Sequence, residues 1–121
     1  MTTRALVVDD DRDHGELVAR QLRTLGYDVD VCDEPTDGMT LAEQQPYAIV
    51  FLDLAMDSMN GIEFCENLRA QGNQVPIVIA TGFSSIDMVR AAMAAGANDY
   101  LLKPIADEDL TESVRRLMIE N

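Results

Sequence analysis

The feature that most constrains the fold of this chain is a regular alternation of short apolar runs with amphipathic segments. Four of the runs contain no alternating polar residues, and they cover residues 5–8, 48–52, 75–80 and 100–102. Continuous apolar runs of this length are typical of strands that are covered on both faces of a sheet. A fifth run, residues 27–32, alternates acidic residues with valine, which predicts a strand at a sheet edge.

Amphipathic helical patterns lie between and after these runs. Val18, Leu22 and Leu25 recur at the spacing of one helix face, and residues 110–118 repeat this spacing near the C-terminus. The order is therefore strand then helix, five times over, with short connections. Such an alternation predicts a doubly wound α/β fold with a parallel sheet and helices on both faces. Because 121 residues are one domain's worth, we expect residues 1–121 to form a single domain.

Composition excludes several classes of partner. The chain has 22 acidic and nine basic residues and a formal net charge of −13. Nucleic-acid phosphates and anionic membrane surfaces would repel it, so we expect no direct binding to nucleic acid or membranes. No apolar run approaches the roughly 20 residues of a membrane span, and the N-terminus lacks a signal-peptide core, which favours a cytoplasmic location. Cys32 and Cys65 are too few and too far apart in the sequence to indicate a disulfide framework or a zinc site.

Polar residues follow the apolar runs at the points where the strands should end. Asp9 and Asp10 follow the first run, and Asp53 follows the third. Thr81 follows the fourth, and Lys103, the only lysine of the chain, follows the fifth. In doubly wound sheets, ligands bind outside the carboxyl ends of the strands, so these side chains are the candidate site. Three carboxylates at one edge would repel one another, which implies a hard cation such as Mg²⁺.

These residue types are the parts needed to move a phosphoryl group onto a carboxylate. Asp53 would be the nucleophile that forms an acyl phosphate, and the Thr81 hydroxyl would bind one phosphoryl oxygen. The metal and Lys103 would neutralise the remaining oxygens. Taken singly, each residue has a structural explanation, since acid runs are often solvated loops and a Lys-Pro pair is often only a turn. Their joint position at strand ends favours the functional hypothesis.

At this level of detail the chain resembles the receiver domains of response regulators in two-component signalling. The motifs that carry the resemblance are LVVDDD at 6–11, FLDLAM at 51–56, MNG at 59–61, IATG at 79–82 and GANDYLLKP at 96–104. They extend over essentially the whole chain. The resemblance implies a flavodoxin-like (βα)5 fold with sheet order 2-1-3-4-5. It also implies a phosphoacceptor that receives its phosphoryl group from a sensor histidine kinase or a phosphotransfer protein, not a turnover enzyme.

The resemblance also assigns roles around Asp53. Asp10 and Asp53 would ligate Mg²⁺ directly, together with the backbone carbonyl of Ala55, while Asp9 would act largely through water. The peptide bond between Lys103 and Pro104 would be cis.

A switch is implied as well. Thr81 and Tyr100 would form the switch pair, the hydroxyl moving toward the phosphoryl group while the ring turns inward. The face made by the fourth helix, fifth strand and fifth helix would then control an effector or form a homodimer.

Two residues depart from the family pattern, and one residue is interpreted as unremarkable. Asp57 stands where a proline is usual, which removes a rigid residue and adds a negative charge near the metal. Gly82 stands where an alanine is usual, which should loosen the backbone after Thr81. His14, the only histidine, is predicted to be a surface residue of the first helix, with no role as phosphoacceptor or ligand.

Two other functions remain open on the sequence alone. An aspartate-nucleophile phosphohydrolase of the haloacid dehalogenase type would use Asp9 as the nucleophile, with Asp11, Thr81 and Lys103 in support. It would leave Asp53 without a role, and the chain has no room for a cap domain. A pseudo-receiver that has lost the chemistry would tolerate loss of an acid, the threonine or the lysine, whereas this sequence retains them all.

Overall fold

A computed structural model describes residues 3–54, 56, 60–82 and 86–120 of the chain, with side chains described up to residue 118. The strands are β1 (Arg4–Val8), β2 (Asp28–Cys32), β3 (Ile49–Leu52), β4 (Ile77–Thr81) and β5 (Asp99–Leu102). The helices are α1 (Arg12–Thr24), α2 (Pro35–Gln44), α3 (Gly61–Ala70), α4 (Ile86–Ala94) and α5 (Asp107–Glu120). The strands form one sheet in the order β2-β1-β3-β4-β5, and every neighbouring pair is parallel. The predicted doubly wound fold and its strand order are confirmed.

The sheet separates two apolar layers, because successive side chains of a strand point to opposite faces. Leu6 and Val8 of β1 pack with residues of α2, α3 and α4 on one face. Ala5 and Val7 pack with residues of α1 and α5 on the other. The three central strands are therefore buried on both sides, which explains why their sequences are continuous apolar runs.

The two edge strands differ in how well the sequence predicted them. β2 lies at one edge and is only half-buried, so the interpretation of its acid–valine alternation is confirmed. β5 lies at the other edge, and the prediction that both of its faces are covered is wrong. Tyr100 is 44% exposed and Leu102 is 49% exposed. An apolar run indicates that its side chains favour burial. It does not indicate whether a helix of the same chain or a partner protein covers them.

Local signals fix the ends of several helices. Asp11 caps α1 by accepting a hydrogen bond from the His14 amide, and Asn60 caps α3 by accepting one from the Glu63 amide at 2.9 Å. Gly96 follows α4 with a φ of 115°, a conformation that glycine adopts without a steric penalty.

In the part of the chain that the structure describes, none of the helices has the length and apolar content that a membrane crossing requires.

Candidate functional site

Backbone hydrogen bonds extend the sheet one residue beyond the strands and hold the candidate site residues at its carboxyl edge. The Asp9 amide donates to the Cys32 carbonyl at 3.0 Å. The Asp53 amide donates to the carbonyl of Val8 at 3.0 Å, and the Lys103 amide donates to that of Thr81 at 2.8 Å. Each bond lies one residue past the last paired residue of β1, β3 or β5. Asp9, Asp53 and Lys103 are therefore each held against the end of a neighbouring strand.

Three carboxylates meet at this edge. One oxygen from each of Asp9, Asp10 and Asp53 lies within 4.8 Å of the others. Asp9 is 2% exposed and Asp53 is 6% exposed, whereas Asp10 is exposed. Charged oxygens this close repel one another in a partly buried site, and a divalent cation relieves the repulsion. The donors are hard oxygen atoms, which is the ligand type that Mg²⁺ prefers, so the residues fit this ion.

Lys103 places a positive charge beside two of these acids. Its Nζ lies 3.0 Å from Oδ2 of Asp9 and 3.5 Å from Oδ2 of Asp53. Burial of the ammonium lowers the pKa of Lys103, but its hydrogen bonds and charge interactions with Asp9 and Asp53 outweigh burial. The pKa is therefore raised above its ordinary value, and the side chain stays cationic. The peptide bond that links Lys103 to Pro104 is cis, the geometry that the family resemblance implied.

Asp9 also contacts a residue that sequence analysis placed elsewhere. Nδ1 of His14 lies 2.9 Å from Oδ2 of Asp9, and only 11% of the His14 side chain is exposed. The prediction that His14 is a surface residue is wrong. α1 begins directly after the acidic residues 9–11, and Asp11 is its N-cap. The Asp11 amide also donates to Oδ1 of Asp9, so the first turn of α1 lies close to Asp9. The spacing of three residues between this cap and His14 was the available signal, because the third helical residue lies beside the cap.

The residues of the expected switch pair lie in different environments. Thr81 is fully buried at the end of β4, and Tyr100 is a partly exposed residue of β5. The Tyr100 ring is thus accessible to solvent in this structure. Ala55 and Asp57, named above as a metal ligand and as a departure from the family pattern, lie outside the described residues.

An apolar surface lies beside Tyr100. Among the described residues, a cavity of about 270 Å³ is lined by side chains of α4 and β5, namely Ile86, Val89, Arg90, Tyr100 and Leu102. Three of the large apolar residues among them are exposed, and such clusters often mark surfaces that bind a partner. This surface is called the α4–β5 surface below.

Comparisons with known proteins agree with this architecture and site. The family model described as response regulator receiver domain matches residues 5–115. Among curated relatives, response regulator MprA of Mycobacterium sp. (strain KMS) is 40% identical over 119 residues, which are 98% of this chain and 51% of that protein. MprA of Mycobacterium tuberculosis (strain ATCC 25177 / H37Ra) is 39% identical over the same length. The chain spans about half the length of these curated relatives.

Solved structures show the same fold. The response regulator receiver domain protein (CheY-like) from Methanospirillum hungatei JF-1 superposes with a TM-score of 0.92 at 25% identity, over 99% of this chain and 96% of that one. The chemotaxis protein CheY4 of Vibrio cholerae superposes with a TM-score of 0.88 at 26% identity, over 97% of this chain and 99% of that one.

Proposed function

Because this chain belongs to the response-regulator receiver family, we propose that it accepts a phosphoryl group on Asp53 from a sensor histidine kinase or a phosphotransfer protein. Its role is therefore in two-component signalling. Residues 1–121 act as one receiver domain, which assists its own phosphorylation and slow dephosphorylation but does not turn over a separate substrate. The location would be the cytoplasm, where the kinase domain of a sensor can reach it.

The observation that carries the proposal is the setting of Asp53 within the acid cluster. Its carboxylate is nearly buried, one of its oxygens lies close to those of Asp9 and Asp10, and Lys103 lies 3.5 Å away. A carboxylate that served only to solvate a loop would gain nothing from burial beside two like charges. The arrangement suits a group that must react with another anion, because the cationic partners also attract the incoming phosphoryl oxygens.

The proposed reaction is a direct transfer between two side chains. A carboxylate oxygen of Asp53 attacks the phosphorus of the donor phosphohistidine, the P–N bond breaks, and an acyl phosphate forms while the electron pair returns to the imidazole. Lys103 binds one oxygen of the transferred group, and the Thr81 hydroxyl donates a hydrogen bond to another. Both contacts favour the state in which negative charge has accumulated on these oxygens.

The metal part of the proposal concerns four residues. Asp10 and Asp53 would hold Mg²⁺ directly, together with the backbone carbonyl of Ala55, and Asp9 would act on the ion through water. When bound, Mg²⁺ supplies positive charge that neutralises the phosphoryl oxygens.

The α4–β5 surface, together with α5, is the proposed output of the switch. Movement of Thr81 toward the phosphoryl group leaves space that the exposed Tyr100 ring can occupy, and the ring then withdraws from the α4–β5 surface. An effector domain, a partner protein or a second copy of the chain would sense this change. The chain spans about half the length of its curated relatives, and the donor kinase and the output are proposed from the receiver family alone.

Labelling by a small phosphodonor tests the assignment. The parent chain with acetyl phosphate and Mg²⁺ should gain one phosphoryl group by intact mass, and Asp53→Asn should gain none, because the amide is not a nucleophile. Asp37→Asn is the matched control, since Asp37 is an exposed acid of α2 and its loss should leave labelling unchanged. Acid-stable label on Asp53→Asn would refute the assignment. If the phosphoryl label were found on Asp9 in the parent chain and were lost in Asp9→Asn, hydrolase chemistry would be indicated instead.

A further inference from the structure

His14 is a nearly buried residue whose contact with Asp9 is not part of the machinery described above. Its Nδ1 lies 2.9 Å from Oδ2 of Asp9, and Nε2 is buried without a hydrogen-bond partner in the part of the chain that the structure describes. A buried polar atom without a partner costs free energy, so the ring orientation must be maintained by the contact that Nδ1 makes. That contact requires the proton on Nδ1, since the carboxylate can only accept.

Asp9 is held by donors on both of its oxygens. The Asp11 amide donates to Oδ1 at 2.9 Å, while His14 and Lys103 both contact Oδ2, at 2.9 and 3.0 Å. Asp9 is 2% exposed, so protein donors take the place of most of the water that would otherwise surround its carboxylate. Three donors from different parts of the chain fix the plane of the carboxylate and leave a restricted set of lone-pair directions for a cation or its water.

We propose that His14 is a positioning residue that orients the Asp9 carboxylate for Mg²⁺ binding. The inference rests on the proposed function, in which Asp9 is one of the acids around the ion. Lys103 alone cannot fix this orientation, because its flexible ammonium is shared with Asp53, whereas the imidazole ring is rigid and belongs to the capped first turn of α1. His14 thereby couples the start of α1 to the geometry of the acid cluster.

The affinity for Mg²⁺ is the first readout. The dissociation constant is measured by calorimetry or by amide chemical shifts for the parent chain, His14→Leu and His14→Asn. Leucine keeps a side chain of similar size without a donor, and we expect it to weaken Mg²⁺ binding about tenfold, as loss of a group that orients a metal-binding side chain commonly does. Asparagine can place an amide N–H near the position of Nδ1, so His14→Asn should bind within about threefold of the parent.

Val18→Ala serves as a control for a purely structural effect. Val18 is buried in α1 and belongs to the apolar layer that α1 and α5 form on one face of the sheet, so its truncation should lower the melting temperature with no change in Mg²⁺ affinity. Circular dichroism confirms that each variant is folded before the titration.

The tautomer of His14 is the second readout, and it is unambiguous because the chain has one histidine. Long-range ¹H–¹⁵N spectra should show a proton on Nδ1, and Mg²⁺ should shift this resonance. A ring whose Nδ1 carries no proton would overturn the inference. So would equal Mg²⁺ affinity in the parent and His14→Leu, or tighter binding in His14→Leu, which would mean that the ring only opposes the cation. If the parent bound no Mg²⁺, the metal part of the proposed function would fail together with the inference.

Discussion

Gly61→Ala tests how closely α3 is packed against the proposed phosphoacceptor. A Cβ added to Gly61 would lie 2.7 Å from the carbonyl oxygen of Asp53 and 3.0 Å from Cα of Leu54. Both neighbours are backbone atoms, so no side-chain rotation can relieve the contact. Either the start of α3 or the segment that carries Asp53 must move, although the Gly61 amide donates to the Leu54 carbonyl at 3.0 Å and resists that movement.

The size of the effect follows from two opposing contributions. Forcing an extra methyl group into a packed site costs about 1–3 kcal/mol. Alanine is the better helix former, which offsets at most about 1 kcal/mol of that cost. Because both blocking atoms belong to the backbone, the cost lies in the upper half of that range, about 2–3 kcal/mol, and after an offset of about 1 kcal/mol the free energy of unfolding should fall by about 1–2 kcal/mol. With about 2.1 cal/mol/K of unfolding entropy per residue, a 121-residue chain loses about 4 °C per kcal/mol, so the melting temperature should fall by about 4–8 °C.

Thermal unfolding followed by far-UV circular dichroism in EDTA measures this change. Acetyl phosphate labelling of Asp53 should also slow in Gly61→Ala, because the clash displaces the backbone of the nucleophile. Gly82→Ala is the matched control, since among the described residues a Cβ there has no heavy atom within 4 Å beyond its chain neighbours, and Gly82 does not have a positive φ. It should leave the free energy of unfolding unchanged or raise it by up to about 1 kcal/mol. Equal melting temperatures for the parent and Gly61→Ala, or equal losses in both variants, would refute the steric argument.

Three further outcomes are expected. Asp10→Ala should remove most of the rise in melting temperature that Mg²⁺ gives the parent, because the ion stabilises the folded acid cluster; a variant that gained as much as the parent would require the ion to bind elsewhere. Beryllofluoride with Mg²⁺ should shift amide signals across residues 86–105; shifts confined to the acids would contradict the switch, and the absence of any shift would indicate a pseudo-receiver. Cys65 should resist iodoacetamide at about pH 8, because burial raises its thiol pKa to about 11 and keeps the thiolate scarce below that pH. Peptide mass spectrometry would detect its alkylation, and labelling as fast as in urea would show that Cys65 is accessible.

The sequence by itself determined the features that depend on neighbouring residues. Apolar runs and helical spacings specified which segments form strands and helices, because each segment must bury one or both of its faces. Since parallel strands end at a common edge, the positions of Asp53 and Lys103 after their strands were enough to predict that they meet. The family resemblance supplied the sheet order and the cis peptide bond, which these local patterns do not contain.

Only the tertiary structure decided the features that depend on how one element packs against another. His14 has the sequence surroundings of a surface residue, yet the direction of α1 brings it onto Asp9. Tyr100 lies in an apolar run, yet its strand is at a sheet edge and its ring is exposed. Gly61 is the first residue of an ordinary helix. Only the packing of α3 against the Asp53 carbonyl shows that this position has no room for a side chain. For Tyr100 and Gly61 the surroundings are set by an element outside the segment, about which a local pattern carries no information. For His14 the spacing from its cap was a local signal, but only the packing of α1 showed the contact with Asp9.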